Sequence, residues 1–315
     1  YDEGNLSANI DFSYDKSLTI PNNCLELLNN QNWYGTPSEE AWEAANKYFD
    51  VAIIGFFPEQ IKSAVKHFKG AIVLRVFGLS KEHTYSDLIY SELGPIWADR
   101  IRGLGNRFWF GAGYTHLSYC EQEFIKARNC FLPVGLSGED ESHLWQGKYN
   151  KILFVCPRIG SSPYFNAIYK EFLDNFSYFD YTISGVQPVP VENPKVIGFV
   201  PLEQHKWNMR QHRVMYYHSM EPNHIHYHPF EAIRAGMPLK FMAGGVLDSL
   251  GGNGLPGRCN SIKEAKNKIG RLLNNDQNLT KQIRESQSIL LEAVKFENCE
   301  PPWRNGFQRI LKELS

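Results

Sequence analysis

MYYHSMEPNHIHYHPFEAIRAGMP, running from Met215 to Pro238, changes character twice. An apolar run ends near Tyr217, a polar loop follows, and a helical pattern opens at Pro229. A strand that passes through a loop into a helix is half of a βα unit. In a doubly wound sheet, the loop leaving a strand's C-terminal end is where ligands bind.

The same alternation extends outward on both sides. In the second half, strands are expected at Lys151–Cys156, Tyr181–Ser184, Lys195–Phe199, Arg213–Tyr217 and Leu239–Met242, with helices at Pro163–Asn175, Leu202–His212, Pro229–Ala235 and Ile262–Asn274. In the first half, strands are expected at Val51–Gly55, Ala71–Phe77, Arg107–Phe110 and Asn129–Pro133, with helices at Pro58–Phe68 and Ser86–Gly103. Between the halves, GLSGEDESHLWQGK (Gly135 to Lys148) is polar and aperiodic and reads as a linker. A helical pattern runs from Gln277 to Glu297, and PPW at Pro301–Trp303 should break it before a last helix, Phe307–Leu314. The expected fold class is α/β: two Rossmann-like βα domains facing a cleft, with C-terminal helices crossing back. The domains fall at 1–148, 149–297 and 298–315.

Composition narrows the function. A chain of 315 residues with 43% hydrophobic and 21% charged residues has the balance of a globular protein of about two domains. With 33 Lys and Arg against 34 Asp and Glu, no basic field exists for a phosphate backbone, so nucleic acid is not an expected partner. The longest apolar run, Val51 to Phe57, is far short of the roughly 20 residues a membrane span needs. Six scattered cysteines without a CxxC pair read as reduced thiols in a cytoplasmic protein. Tyr1 rather than Met opens the chain, which reads as one domain of something longer. GxxxxGKS/T does not occur, which removes the usual mark of P-loop kinases.

Six of the ten histidines (His205, His212, His218, His224, His226, His228) lie within Gln204–Pro229. At the helix start after the loop, Pro229 donates no N–H, and the amides of Phe230, Glu231 and Ala232 are expected to point outward as an anion site suited to a diphosphate. Glu231 suits the paired hydroxyls of a ribose, since a carboxylate accepts two hydrogen bonds. His224, His226 and His228 in alternation also resemble a zinc cluster, a reading weighed against imidazoles satisfied in the core. Lys151–Cys156 runs into PRIGSSP, which brings Arg158 to a strand top where a guanidinium can clamp phosphate. Gly244-Gly245 after Phe241-Met242-Ala243 is a small-residue turn that lets backbone amides approach a ligand.

These residues together resemble the C-terminal lobe of GT-B glycosyltransferases, especially retaining enzymes that use nucleotide sugars. The matching positions are Ser219 and Glu221, the run EAIRAGMP from Glu231 to Pro238, Gly244-Gly245, and the closing helix of Ser261 to Asp276. The resemblance implies that Glu231 binds the donor ribose, Arg158 the diphosphate and Glu221 the donor sugar. Two departures stand out. Nine residues separate Glu221 from Glu231 where the family has seven, and Ser161, Ser162 and Pro163 replace the usual Lys after Arg158, with Arg234 or Lys240 as substitutes. His228-Pro229 with Gln187-Pro188 is also similar to the HP and QP pairs of CMP-Kdo and sialic acid transferases. In the first half, NCFLPVGL resembles the family, and Glu59, His83, Gly111–Gly113 and His116 stand at expected strand ends. Glu59 or His116 would be the base of an inverting reaction.

The expected activity is therefore transfer of a sugar from a nucleotide sugar (UDP, GDP, dTDP or CMP linked) to a glycan or lipid-linked acceptor, metal-independent and retaining. Glu221, His116 and Glu59 are the catalytic candidates. Arg158, His226, His228, Phe230, Glu231, Ala232, Gly244 and Gly245 are the donor-binding candidates. No cofactor is expected, a lipid-linked acceptor would allow peripheral membrane association, and the absence of a DxD pair fits metal independence. The rivals are a nucleotide-sugar epimerase and a glycan-binding module built on 16 Tyr, 20 Phe and 7 Trp.

Overall fold

A computed structural model describes residues 19–80, 83–136, 138–224 and 226–315. They form two compact bodies, one of the described residues up to Gly135 together with Phe296–Ser315, the other of Leu136–Lys295. Among the described residues, no helix is long and apolar enough to cross a membrane.

The first body is built on a parallel sheet in the order β1 (Val51–Ile54), β2 (Ala71–Val76), β3 (Phe108–Ala112), β4 (Asn129–Phe131). Its helices are α1 (Asn22–Asn29), α2 (Glu39–Tyr48), α3 (Pro58–His67), α4 (Tyr85–Leu88), α5 (Pro95–Gly103) and α6 (Glu123–Lys126). The central strands AIVLRV and FWFGA are buried almost throughout, as parallel strands covered on both faces must be. The single helix expected over Ser86–Gly103 is instead α4, a π-turn over Ile89–Leu93, and α5. Gly94 takes φ +92 between them, and Pro95, which has no N–H and excludes a helical predecessor, begins the new helix.

The second body holds a six-stranded parallel sheet in the order β10-β9-β8-β5-β6-β7. The strands are β5 (Tyr149–Val155), β6 (Tyr181–Ser184), β7 (Val196–Gly198), β8 (His212–Tyr217), β9 (Leu239–Met242) and β10 (Arg258–Cys259). Helices α7 (Pro163–Phe176), α8 (Leu202–Gln211), α9 (His228–Arg234), α10 (Ile262–Leu273) and α11 (Gln277–Ser286) complete it. Its core lies under α7 and α10, where Phe154 stacks on Phe172 at 4.1 Å among Ile183, Val214 and Ile269. The segment read as a linker belongs to this body. Trp145 donates its indole N–H to the His212 carbonyl at 2.9 Å, Arg284 lies 4.6 Å over the same ring, and Glu141 meets Arg210 at 2.6 Å.

The helical pattern past Gln277 divides at Gln287, where a 3-10 stretch runs to Val294. The Gln287 side chain explains the change: it accepts from the Leu239 N–H at 3.0 Å and donates to the Met237 carbonyl at 3.0 Å, pinning the entry to β9. PPW does not break the last element. A single helix, α12 (Phe296–Leu314), runs through Pro301 and Pro302 and packs on β2 and β4. The prolines forfeit two intrahelical hydrogen bonds. Burial of Ile310, a bond of 2.8 Å from the Trp303 indole to the Pro133 carbonyl, and the close seating of Gly306 on Cys130 offset that loss.

Candidate functional site

In the second sheet the chain runs outward from β5 through β6 to β7, then returns to the other side of β5 for β8, β9 and β10. The order reverses between β5 and β8, so the loops leaving those two strands diverge and open a crevice at their C-terminal ends.

From β5 the chain turns through Cys156-Pro157-Arg158. Arg158 is exposed and held at φ +55, a left-handed conformation that costs a non-glycine residue about 1–2 kcal/mol. Its N–H donates to the Val186 carbonyl at 2.8 Å, and its carbonyl accepts from Ser161 and Ser162 N–H at 3.1 and 2.9 Å. Gln187 fastens this turn: its carbonyl oxygen accepts from Ile159 N–H at 2.9 Å, and its amide donates to the carbonyls of Cys156 and Gly185 at 2.8 and 3.0 Å. Both ends of the QP glutamine are therefore engaged in joining two loops.

From β8 the chain passes through His218, Ser219, Met220 and Glu221 against the Gly-Gly turn. A Cβ on Gly245 would stand 2.7 Å from the Ser219 carbonyl oxygen, so glycine permits the loop to lie there. Val246 N–H donates to the Glu221 carbonyl at 3.1 Å and Glu221 N–H to Ser219 Oγ at 3.3 Å. The Gly244 amide, expected to face a ligand, is committed to Asp248 Oδ2 at 2.8 Å, and Asp248 is paired with Arg258 at 2.8 Å. The turn thus shapes the loop that carries Glu221 and does not offer the Gly244 donor outward.

The α9 start also differs from expectation. The helix begins at His228, so Pro229 is its second residue, and the N–H groups of Phe230 and Glu231 both donate to the Tyr227 carbonyl, at 2.9 and 3.1 Å. Ala232 is past the first turn. Those amides are therefore spent within the chain and do not form the anion cradle read from the sequence. What the first turn presents is the Glu231 carboxylate, 8% exposed, with Oε2 3.1 Å from His205 Nε2 on α8. A nearly buried carboxylate needs hydrogen-bond donors, and one imidazole supplies part of that need.

Around Glu231 stand the other histidines. Tyr217 Oη is 2.9 Å from His226 Nδ1, and His226 Nε2 is 3.2 Å from His224 Nε2. The rings of His226 and His228 lie 5.3 Å apart, as do those of Tyr217 and His228. Burial, reinforced by His224 and His218, lowers His226 to about 3; burial lowers His218 to about 4 and holds His228 well below the ordinary histidine range. These imidazoles are uncharged at neutral pH. Both ring nitrogens of His218 are sealed from solvent without a hydrogen-bond partner among the described residues. Among those residues, no group of three or more His, Cys, Asp or Glu is arranged to hold a metal ion; the His224 ring meets His226 edge-on and the His226 and His228 rings are tilted against each other. His212 is a satisfied core histidine, with Nδ1 2.8 Å from the Asn208 carbonyl and Nε2 2.9 Å from Thr182 Oγ1.

Neither substitute for the missing Lys points to the crevice lip. Lys240 is fully buried in β9, donates to the Pro256 carbonyl at 2.9 Å and is lowered by burial to about 7. The Arg234 guanidinium lies beside Gly138. In the first body, Glu59 is an exposed residue in the first turn of α3, 2.9 Å from Lys62, and follows β1. His116 sits in the 3-10 turn after β3 with its ring 5.6 Å from Tyr114. Sequence reasoning noted His205 in the histidine concentration and Gln187 in the QP pair without giving either its structural task, and it missed Asp248, which carried no signal.

No family model matches the chain, and no curated protein matches it. Solved structures do. HepE from Anabaena, in complex with UDP and glucose, is 16% identical, with TM-score 0.58 over 86% of this chain and 80% of that one. Sucrose-phosphate synthase from Thermosynechococcus elongatus is 12% identical, with TM-score 0.55 over 87% and 77%. A glycosyltransferase from Rickettsia africae is 13% identical, with TM-score 0.56 over 96% and 85%. The chain has the GT-B fold. Within that GT-B chain, the crevice between β5 and β8 is the topological switch point of the second body.

Proposed function

We propose that the protein is a glycosyltransferase that moves a sugar from a nucleoside diphosphate sugar to an acceptor hydroxyl on a glycan or a lipid-linked saccharide. The observation that carries this reading is the nearly buried Glu231 carboxylate, held by His205, at the mouth of the switch-point crevice. A carboxylate placed there grips the two hydroxyls of a ribose, Arg158 meets the diphosphate from the other strand, and the loop carrying Glu221 faces the sugar. HepE, an Anabaena protein with the same fold, was solved with UDP and with UDP-glucose, which makes UDP-glucose the first donor to try.

The chemistry follows from charge. As the glycosidic bond to the diphosphate breaks, negative charge grows on the leaving phosphate and positive charge on the sugar ring. The transition state is lowered by donors aimed at the phosphate and by a carboxylate near the sugar. Arg158 takes the first task and Glu221 the second. Metal independence and retention at the anomeric carbon belong to this proposal. Adding a chelator should leave turnover unchanged, and NMR of the first-formed product reads the anomer. Thermal-shift measurements with UDP, GDP, CMP and dTDP test the donor site, because a ligand that binds only the folded chain raises its apparent stability. If none of the four raises the melting temperature, the proposal is wrong.

A further inference from the structure

Arg284, on α11, has one edge of its guanidinium committed and the other unused. Nε–H donates to the Gly236 carbonyl at 2.8 Å and Nη2–H to the Ser142 carbonyl at 2.9 Å. Those carbonyls are neighbours, since a Cβ on Gly236 would stand 2.3 Å from the Ser142 oxygen, so together they occupy the Nε–Nη2 edge. The Nη1–Nη2 edge has neither a hydrogen-bond acceptor nor a carboxylate partner among the described residues. The guanidinium lies 4.6 Å over the Trp145 ring, and burial, with no carboxylate to offset it, holds Arg284 below the ordinary arginine range. A guanidinium keeps its proton in a protein, so this one is a partly desolvated charge without a counter-ion.

The same side chain lines a cavity of about 330 Å³ within the second body, at the small end of the range of ligand pockets. The cavity lies at the opposite end of the sheet from the crevice. Gly236, in its wall, leads into β9, and Trp145 bonds to His212, the first residue of β8, whereas the crevice opens where β5 and β8 end. Lys281 brings a second cation to the wall, 3.8 Å from Glu285, and Asp140 and Glu285 bring two carboxylates. Asp140 accepts the Ser142 N–H on Oδ1 at 2.8 Å, and a carboxylate has further lone pairs to offer. We propose that this cavity binds a monosaccharide phosphate: two phosphate oxygens take the unused edge of Arg284, Lys281 stands beside them, and sugar hydroxyls donate to Asp140 and Glu285. The mixture of charges selects that class. The cations call for an oxyanion that fits a planar fork, and the carboxylates repel an anion unless the ligand also carries hydroxyl donors to meet them. The inference is independent of the donor-site reading, since it uses none of the crevice residues.

Isothermal calorimetry in a phosphate-free buffer tests it, with glucose 6-phosphate as the probe and inorganic phosphate and glucose as its two halves. The wild type should bind one glucose 6-phosphate per chain at about millimolar Kd or tighter, and each half at least about tenfold more weakly. Arg284→Lys keeps the charge and loses the fork, so the Kd should rise at least about tenfold. Lys281→Glu reverses the charge of a side chain that is 71% exposed, so it should leave the fold intact and raise the Kd at least about fivefold; it serves if Arg284→Lys does not fold. Thermal melting of each variant checks its folding. Saturating UDP-glucose should leave the Kd for glucose 6-phosphate unchanged, because the two ligands sit at opposite ends of the sheet. No saturable binding up to about 20 mM overturns the inference, as does an affinity that folded Arg284→Lys or Lys281→Glu leaves unchanged, inorganic phosphate bound as tightly as the probe, or displacement by UDP-glucose. If UDP-glucose and all four nucleotides fail to bind, the donor site falls, and the variants still decide this one.

Discussion

Glu231→Gln separates a ribose clamp from a structural carboxylate. The substitution keeps the shape and lets the amide oxygen accept from His205, whose Nε2 lies 3.1 Å from the present carboxylate, so the wall of the crevice should survive. What it removes is the charge on the acceptor of two ribose hydroxyls. Hydrogen bonds to a charged group contribute about 1.5–3 kcal/mol each, whereas neutral ones contribute about 0.5–1.5. Losing that difference twice amounts to roughly 2–3 kcal/mol, or about 30- to 150-fold in Kd. Calorimetry with UDP reads it directly. A second ligand, 2′,3′-dideoxy-UDP, removes the same contacts from the other side, so the wild type should bind it at least about 100-fold more weakly than UDP. Because the two changes delete one interaction, they should be strongly non-additive: Glu231→Gln should discriminate little between the two nucleotides. If the wild type holds both equally well, or if the two losses simply add, Glu231 does not grip the ribose.

Gly245→Ala would place a methyl 2.7 Å from the Ser219 carbonyl, so the loop carrying Glu221 must shift; thermal melting should show a loss of about 1–3 kcal/mol together with weaker donor binding, and an unchanged Kd would contradict the placement of that loop. Gln187→Ala deletes two hydrogen bonds between the β5 and β6 loops and one within the β6 loop, and leaves the Ile159 N–H and two carbonyls without them, a loss of about 2–3 kcal/mol measurable by urea unfolding. Acid should weaken the second body. His218 and His226 titrate at about 4 and about 3 when folded, below the ordinary 6.5, so the unfolded chain binds protons first. Their contribution is complete above pH 6.5 and is lost as pH falls toward 4 and then 3; for His218 it approaches roughly 3 kcal/mol. Urea midpoints at pH 7 and 4.5 should converge in His218→Leu relative to the wild type, and an identical pH dependence in both proteins would show that His218 is not buried neutral.

Much of the second sheet was legible because its strands are short apolar runs between turn signals. Tyr181–Ser184 and Leu239–Met242 emerge with the bounds that pattern gives. Where reading failed, the deciding partner lay far along the chain. The 3-10 stretch from Gln287 answers to Leu239 and Met237, about fifty residues earlier, and β10 is two residues held by pairing with β9. Pro301 and Pro302 suggested a break, yet the helix around them is held by the first sheet, which local propensity does not contain. The site followed the same rule. The histidine loop, Arg158 and Glu231 announced themselves locally. That the Phe230 and Glu231 amides would turn back to Tyr227, and that Glu231 would be met by His205, depended on where the helix begins and what packs beside it.

Arg158 sits in a backbone shape that glycine would adopt freely. Arg158→Gly should therefore melt higher than the wild type, by as much as about 1 kcal/mol, since the strain vanishes while the Val186 bond stays available. The more durable residue at this corner would be the one with no reach, so a long cation there sets durability against the diphosphate contact proposed above. On the proposed donor site, relaxing this corner should weaken binding of the diphosphate while it stabilises the fold.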